Sequence, residues 1–261
     1  MKLRTPWQIS RSVIFALVLR EMQTRFGARR MGAFWMLFEP ISHVAVMVLI
    51  IAVIRGRHAA GFDYPVFLLA GMVPFFLMRN ISLKMMDSVS ANKSLFAYPN
   101  IKPFDTFVAR AIIECALSFS LYVILMAALG FWANYDVGIA SPLRWIFALG
   151  TGVIFAFGLG LILCVVAEIM PNSRTFIRIL FMPLYLLAGI IFPIWTIPSK
   201  YLEWLLWNPY LHIVDNLRYS VFDNYPRVEG VSFRYPFECA LVVLFVGMAL
   251  YRAKRRELLA I

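Results

Sequence analysis

The chain has 261 residues, of which 62% are hydrophobic and only 15% are charged, with a formal net charge of +11 at pH 7. A soluble domain is about half apolar, and about a quarter of its residues are charged. Because the apolar residues also occur in runs long enough to cross a bilayer, the composition excludes a soluble protein and predicts a multi-pass membrane protein. The basic residues gather at the ends of these runs, which membrane topology explains without nucleic-acid binding.

The first 30 residues precede the long apolar runs and contain an amphipathic segment. At helical spacing Phe15, Leu19 and Met22 share one face, and Arg20 lies opposite. Charged residues interrupt this segment too often for it to span the bilayer, so we expect an interfacial helix over residues 13–30. Two interpretations stay open: the helix only anchors the first span, or it also contacts a partner protein or the head group of a transported lipid.

Six apolar runs reach the ~20 residues that a helix needs to cross the hydrocarbon core. The fourth has no charged residue, and its four glycines would let neighbouring helices approach closely. We therefore expect an all-α membrane protein with six transmembrane helices in a single domain, residues 1–261, in which residues 1–30 form a cytoplasmic tail and interface helix. The expected spans are residues 31–54, 64–83, 107–132, 145–167, 179–197 and 233–251.

The distribution of lysine and arginine predicts the orientation of these spans. If the N-terminus is cytoplasmic, sixteen of the 25 basic residues lie in cytoplasmic segments and seven lie in outer segments. Both chain ends are therefore expected in the cytoplasm. The two halves of the chain share no sequence repeat, which argues against a secondary transporter built from inverted repeats.

The first span carries ionisable residues at positions where they are costly. Glu39 and His43 are four residues apart on one helical face, and Pro40 between them removes a backbone donor. Such groups face either a neighbouring helix or a cavity. The pattern is consistent with a structural hydrogen bond between helices and also with a contact to the substrate.

The longest cytoplasmic connection, residues 84–106, contains a short amphipathic segment that Pro99 ends. Within it we expect Leu95 and Phe96 to be apolar residues exposed to the cytoplasm. An exposed apolar pair indicates docking to a partner protein, and the alternative is packing against the chain's own helix ends.

The fifth apolar run is interrupted by Pro183, Gly189 and Pro193, and a segment too short and too charged to cross follows it. Broken helices at membrane depth occur where they line a cavity or are sheltered by protein. We therefore expect a re-entrant pair of half-helices that reaches the outer face. Its aromatic residues form either an interfacial belt or an outer gate that offers ring faces to sugars. These residues are Trp195, Tyr201, Trp204 and Trp207.

Motifs for nucleotide or hydrolytic chemistry are missing from the sequence. It contains no GxxxxGK[ST] phosphate loop, no HExxH and no GxSxG. The three histidines have no metal-ligand spacing, and the three cysteines lie in apolar segments. We therefore expect a transport subunit that is not an enzyme and binds no metal or cofactor itself. Energy for transport would come from another chain or from an ion gradient.

Three segments carry a resemblance to a known family: LREMQTRFGARRMGAFWMLFEP from Leu19, NKSLFAYPNIKPFDTFVAR from Asn92 and FPIWTIPSKYLEWLLWNPYLHIVDNLR from Phe192. The chain resembles the permease subunit of ABC type-2 exporters over essentially its whole length. The WNP sequence after a proline-rich fifth span is the more specific sign. Together the segments resemble the branch that exports capsular polysaccharide in Gram-negative bacteria.

The resemblance implies a homodimer in the bacterial inner membrane, bound to two copies of a separate ATPase subunit that holds ATP and Mg²⁺. It implies a lipid-linked polysaccharide as the substrate and no nucleic acid. A periplasmic co-polymerase or adaptor and an outer-membrane exporter are further implied partners. The alternatives are an O-antigen or teichoic-acid exporter permease of the same class and an ion-coupled secondary carrier.

The resemblance also implies roles for individual residues. A coupling helix between the second and third spans, and the turn after the fourth span, would contact the ATPase. Those residues are Ser90, Lys93, Leu95, Phe96, Tyr98, Asn172 and Arg174. An acidic substrate makes a second set candidates for a substrate or head-group path near the cytoplasmic entrance. Those residues are Arg20, Arg25, Arg29, Arg30, Trp35, Glu39, His43 and Arg79.

Overall fold

The computed structural model describes residues 5–27, 38, 41–47, 49–50, 58–59 and 62–260 of the chain. These residues are mostly helical, as expected, and two short strands that the sequence did not predict pair antiparallel. The strands are β1 (His58–Ala59) and β2 (Phe62–Asp63). The helices are α1 (Pro6–Gly27), α2 (Tyr64–Met86), α3 (Ser88–Ala91), α4 (Pro103–Ala133), α5 (Pro142–Ile169), α6 (Ser173–Leu187), α7 (Ser199–Leu205), α8 (Pro209–Val221) and α9 (Arg234–Ala260). Two 3₁₀ turns are Lys93–Ala97 and Ile194–Thr196.

Among the described residues, four helices are long and apolar enough to cross a membrane. They correspond to the second, third, fourth and sixth expected spans. Of the first expected span, residues 38, 41–47 and 49–50 are helical, and the rest lies outside the described residues. The first span therefore stays a prediction. The four helices are Tyr64–Met86, Pro103–Ala133, Pro142–Ile169 and Arg234–Leu258.

The fifth expected span, residues 179–197, differs from the structure. Helix α6 ends at Leu187 and measures about 22 Å at 1.5 Å per residue, which is shorter than the ~30 Å hydrocarbon core. The chain then turns at Gly189, whose φ of 68° lies in the left-handed region that favours glycine. Pro193 precedes the next 3₁₀ turn. Helices α7 and α8 follow where the re-entrant half-helices are expected, and their re-entry into the membrane stays a prediction.

Helix α2 lies at the centre of the molecule. Its sequence is apolar on nearly every side, a pattern typical of a helix that is surrounded by protein. In the structure α4, α5 and α8 pack around it, and Phe67, Phe75 and Met85 are fully buried. This packing fixes the positions of both ends of α2, next to which the candidate sites lie.

Glycines bring α5 close to two of its neighbours. A Cβ atom on Gly158 would lie 2.6 Å from backbone atoms of α9, and one on Gly247 would lie 2.6 Å from the Gly158 carbonyl oxygen. Cβ atoms on Gly152 and Gly160 would collide with side chains of α2. The close approach expected from the α5 glycines is therefore confirmed at three positions. At the fourth, Gly150, a Cβ atom would meet open space.

The two ends of the helix bundle differ in chemistry. At one, which we call the basic end, α1, residues 87–102 and residues 168–178 come together. At the other, which we call the aromatic end, β2 and residues 188–208 lie beside the last turns of α8. The basic residue distribution predicts that the basic end faces the cytoplasm.

Candidate functional site

Helix α1, which begins earlier than expected, lies against α4. Ser10 donates a hydrogen bond to Asp105 Oδ1 at 3.2 Å, and Arg25 forms an ion pair with Glu114 at 2.7 Å. The opposite side of α1 is exposed and carries large apolar side chains, Phe15 among them, beside several polar ones. This arrangement suits a helix at the membrane interface whose apolar side chains meet lipid.

A second contact joins α1 to the coupling segment, the name used here for residues 88–98. Arg20 Nη1 donates to Asn92 Oδ1 at 3.1 Å, and Asn92 Nδ2 donates to the Ser88 carbonyl oxygen at 2.9 Å. Asn92 is buried, and these two bonds satisfy both ends of its amide. Arg20 and Arg25, expected along a substrate path, thus both contact protein groups, and their role toward a substrate stays a prediction.

The residues of the coupling segment that are expected to contact an ATPase are either exposed or half-buried. Ser90, Lys93 and Tyr98 are exposed, whereas Leu95 and Phe96 are half-buried. Phe96 also packs against the main hydrophobic core. The expectation that both apolar residues are exposed is therefore wrong, because the short segment folds its apolar side chains back onto the helix ends. Tyr98 is a large residue of this segment whose side chain is exposed.

The second expected ATPase contact is the turn between α5 and α6. Asn172 is exposed there, and Arg174 forms an ion pair with Glu168 at 2.6 Å. One helical turn further along, Arg178 reaches Asp87 at 2.6 Å, at the point where α2 ends and the coupling segment begins. The two segments expected to contact an ATPase are therefore adjacent and are joined by an ion pair.

Arg110 of α4 connects two other elements at the basic end. Its guanidinium lies 3.9 Å from the Glu21 carboxylate of α1, and its Nη1 donates to the carbonyl oxygen of Lys84 in the last turn of α2. Removing one partner from such a buried contact leaves a charge uncompensated, which is strongly unfavourable. We therefore expect α1, α4 and the end of α2 to move together.

Two described residues of the expected path, His43 and Arg79, converge on one aromatic pair. The His43 ring makes edge contacts with Phe76 and Tyr185, with centroids 5.6 and 6.1 Å apart. Arg79 Cζ lies 5.0 Å from the Phe76 centroid, and the Phe76 and Tyr185 rings stack. We call these four residues the His–Arg cluster. The remaining path residues lie outside the described residues and are Arg29, Arg30, Trp35 and Glu39.

The four residues expected at an outer gate fall into two groups. Trp195 is half-buried and packs edge-on against Tyr225 and Phe62, with ring centroids at 4.9 and 5.9 Å. It therefore belongs to the packed interior of the aromatic end. The other three present exposed ring faces on or just after α7; they are Tyr201, Trp204 and Trp207.

Sequence reasoning missed Arg218 of α8, which is fully buried. Its Nη1 and Nη2 donate to the carbonyl oxygens of Gly189 and Ile190 at 2.7 and 2.6 Å, and its Nε donates to that of Phe67 at 3.2 Å. Its Cζ also lies 3.6 Å from the Phe67 ring centroid. Arg218 therefore holds the turn after α6 against α2. The broken fifth run was the available signal, since a helix end leaves carbonyl groups that need donors.

Further buried polar contacts fix α8. Asn208 caps the helix by accepting a hydrogen bond from the Tyr210 N–H at 3.1 Å. His212 Nδ1 accepts from the Ser232 N–H at 3.2 Å, so Nε2 carries the proton and donates to the Leu206 carbonyl oxygen at 2.7 Å. Burial lowers the pKa of His212, which favours this neutral tautomer.

Known proteins match this chain along nearly its whole length. The family described as ABC-2 type transporter matches residues 12–222. The chain is 36% identical over 256 residues to the polysialic acid transport protein KpsM of Escherichia coli, which covers 98% of both chains. It is 31% identical over 243 residues to the capsule polysaccharide export inner-membrane protein CtrC of Neisseria meningitidis serogroup A, covering 92% of this chain and 90% of that one. It is 29% identical over 241 residues to the corresponding protein BexB of Haemophilus influenzae, covering 90% and 89%.

Proposed function

This chain belongs to the ABC-2 type transporter family, and from this premise we propose that it is the permease subunit of an ATP-driven capsular polysaccharide exporter. It is a multi-pass protein of the inner membrane. The relatives named above transport polysialic acid or export capsule polysaccharide. We propose the same class of substrate here, carried on a lipid anchor.

In the proposed exporter, this chain forms a homodimer, and two copies of a separate ATPase subunit hold ATP and Mg²⁺. A periplasmic co-polymerase or adaptor and an outer-membrane exporter complete the pathway. The observation that carries the proposal is the adjacency of two exposed segments at the basic end. Lys93 and Tyr98 are exposed in the coupling segment, and Asn172 is exposed in the turn between α5 and α6. The Arg178–Asp87 ion pair joins the helix that follows this turn to the residue that precedes the coupling segment.

The contacts behind these segments offer a route for coupling. Asn92 connects the coupling segment to α1 through Arg20, and Asp87 connects it to α6 through Arg178. Arg110 adds α4 and the end of α2 to the same group. A displacement of the coupling segment by an ATPase would therefore reach α1, α2 and α6 together, because packed elements transmit strain instead of deforming freely.

The position of the His–Arg cluster supports placing it on the proposed substrate path. It lies where α2, α6 and residues 41–47 meet, and the guanidinium of Arg79 suits the carboxylates of an acidic polymer. The exposed ring faces of α7 lie at the aromatic end, where the polymer would leave. We propose Tyr201 and Trp204 as contacts at that exit.

Co-purification with the ATPase subunit tests the proposal. Tyr98 and Tyr201 are both 63% exposed but lie at opposite ends of the bundle, so they form a matched pair. A tagged wild-type chain is expected to retain the ATPase, Tyr98→Asp is expected to lose most of it, and Tyr201→Asp is expected to retain it. The measurement is the ratio of ATPase to permease after affinity purification.

Two outcomes would count against the proposal. If no ATPase accompanies the wild-type chain, the role as a permease subunit fails. If the ATPase binds but Tyr98→Asp retains it as well as Tyr201→Asp does, the coupling segment is not the contact. Lys93→Glu repeats the second comparison at another exposed position of the segment.

A further inference from the structure

A cavity of about 350 Å³ lies between α2, α4 and α5. Its walls are nearly all apolar. Phe119 is 57% exposed at its rim, so the cavity opens toward the side of the bundle that meets lipid. The side chains that define it are Pro74, Leu77, Cys115, Tyr122, Trp145 and Leu149.

The size and lining of the cavity indicate an apolar occupant. Protein interiors are close-packed, and few voids exceed the size of one water molecule. The cavity is far larger than the space one water needs, yet a water needs two to four polar partners to be held in such a place. The three helices around it are long and apolar enough to cross a membrane. An acyl chain from the surrounding bilayer matches both the size of the cavity and its apolar lining.

Two polar groups at the cavity add a second observation. Tyr122 and Trp145 line it, each is 7% exposed, and their ring centroids lie 5.5 Å apart. The Trp145 indole N–H faces the Tyr122 hydroxyl oxygen, and within the described part of the chain the Tyr122 hydroxyl has no acceptor of its own. Both groups can donate a proton, and a buried donor without an acceptor is unfavourable. Among the described residues, the lining therefore offers no acceptor within hydrogen-bonding distance of the Tyr122 hydroxyl.

The position of Trp145 indicates where that acceptor comes from. Helix α5 begins at Pro142, so Trp145 lies in the first turn, about 5 Å along the helix from its start. The start of a spanning helix lies near the membrane interface, where Trp is enriched. In this region a phospholipid carries ester carbonyl oxygens at the top of its acyl chains.

We propose that the cavity binds an acyl chain of a membrane phospholipid, with an ester carbonyl oxygen of that lipid accepting hydrogen bonds from the Tyr122 hydroxyl and the Trp145 indole N–H. The residues that line the cavity belong neither to the coupling segment nor to the His–Arg cluster, and the site does not depend on the identity of the exported polymer. A lipid held there packs against α2, the central helix of the bundle.

Native mass spectrometry of the full chain, purified in detergent, delipidated and titrated with phosphatidylethanolamine, tests this site. Ala116 lines the cavity, whereas Ile124 lies on the same helix and outside the lining. Ala116→Phe is expected to abolish the tightest binding event, and Ile124→Phe is expected to leave it unchanged. Tyr122→Phe, which removes only the hydroxyl, is expected to weaken it about two- to tenfold, the effect of one neutral hydrogen bond.

The control variant separates a built site from lipid that coats the whole surface. If Ala116→Phe and Ile124→Phe bind phosphatidylethanolamine equally, the chain carries surface lipid only and the proposal is overturned. If Tyr122→Phe binds as tightly as the wild type, the polar contact is wrong. Tyr122→Phe keeps the test decisive if the Ala116 variant does not fold, because it adds no volume to the cavity.

Discussion

Arg218 illustrates, at the scale of one residue, what a broken helix requires. The carbonyl groups of Gly189 and Ile190 follow the end of α6 in a buried turn, where an unpaired carbonyl is costly. One guanidinium supplies donors to both and to Phe67. Gly71 makes room for it, because a Cβ atom at that position would lie 2.6 Å from Arg218 Nη2.

Replacing Arg218 is expected to destabilise the fold. In Arg218→Gln the shorter amide cannot reach all three carbonyl groups and the contact with the Phe67 ring is lost, which together cost about 3 kcal/mol or more. We expect a lower Tm for the purified protein in detergent. Gly71→Val is expected to act in the same direction, since its side chain would occupy the space of the guanidinium.

An exposed arginine provides the control for this prediction. Arg234 pairs with Glu238 at 2.6 Å, but its side chain is 86% exposed, so Arg234→Gln is expected to leave the Tm unchanged. Equal Tm values for the Arg218 and Arg234 variants would show that the buried guanidinium does not hold the turn.

At the scale of the element, α1 and α5 pack against their neighbours in different ways. Helix α1 binds α4 through Ser10 and Arg25 and buries Leu17, while Phe15 stays exposed on its other side. Helix α5 is apolar on all sides and relies on close backbone contact, which Gly158 and Gly247 permit. The surrounding lipid explains why α5 relies on close contact, because it removes the usual hydrophobic driving force between helices.

Two α5 glycines allow a matched test of this packing. A Cβ atom on Gly158 would lie 2.6 Å from backbone atoms of Leu244, which cannot rotate away, whereas Gly150 faces open space. Gly158→Ala is expected to push α9 outward at a cost of about 1–3 kcal/mol and to lower the Tm. Gly150→Ala is expected to keep or raise the Tm, since alanine favours a helix over glycine by about 1 kcal/mol. The opposite ranking of the two variants would contradict the close contact.

At the scale of the whole molecule, α6 leaves an apolar face uncovered. Ile177 and Phe181 are buried, while a stripe on the opposite side, from Phe176 through Ile179 to Met182, is exposed. The same helix carries Tyr185 of the His–Arg cluster. In the proposed homodimer we expect this stripe to face the second copy and the substrate path to run beside it.

Cysteine cross-linking tests that arrangement. In a background where the three native cysteines are replaced by alanine, Met182→Cys is expected to form disulfide-linked dimers in oxidised membranes. A residue near a two-fold axis meets its own copy, and a disulfide needs Cα atoms within about 7 Å of each other. Phe245→Cys is the control, because Phe245 is as exposed as Met182 (75% against 76%) but lies on α9. Cross-linking to the same extent at both positions would argue against a dimer through α6.

Local patterns allowed much of this architecture to be predicted. Length and hydropathy predicted helices at residues 64–83, 107–132, 145–167 and 233–251, and all four occur in the structure, where each helix covers its expected range to within one residue. The glycines of α5 predicted its close packing. The length of the fifth apolar run predicted a span that the structure does not have. Its apolar residues continue past Leu187, where the helix ends, into a turn that contains Gly189 and Pro193. The segments that resemble exporter permeases also predicted the family correctly.

The sequence by itself determined where the chain can enter lipid and which family it belongs to, since hydropathy and sequence similarity are properties of the chain in order. Only the tertiary structure decided which side chains meet across distant segments. Phe96 is half-buried, Arg25 pairs with Glu114, and Arg218 reaches the turn after α6. Each depends on how helices far apart in sequence cross, and a buried polar group takes whichever partner that crossing brings within hydrogen-bonding distance.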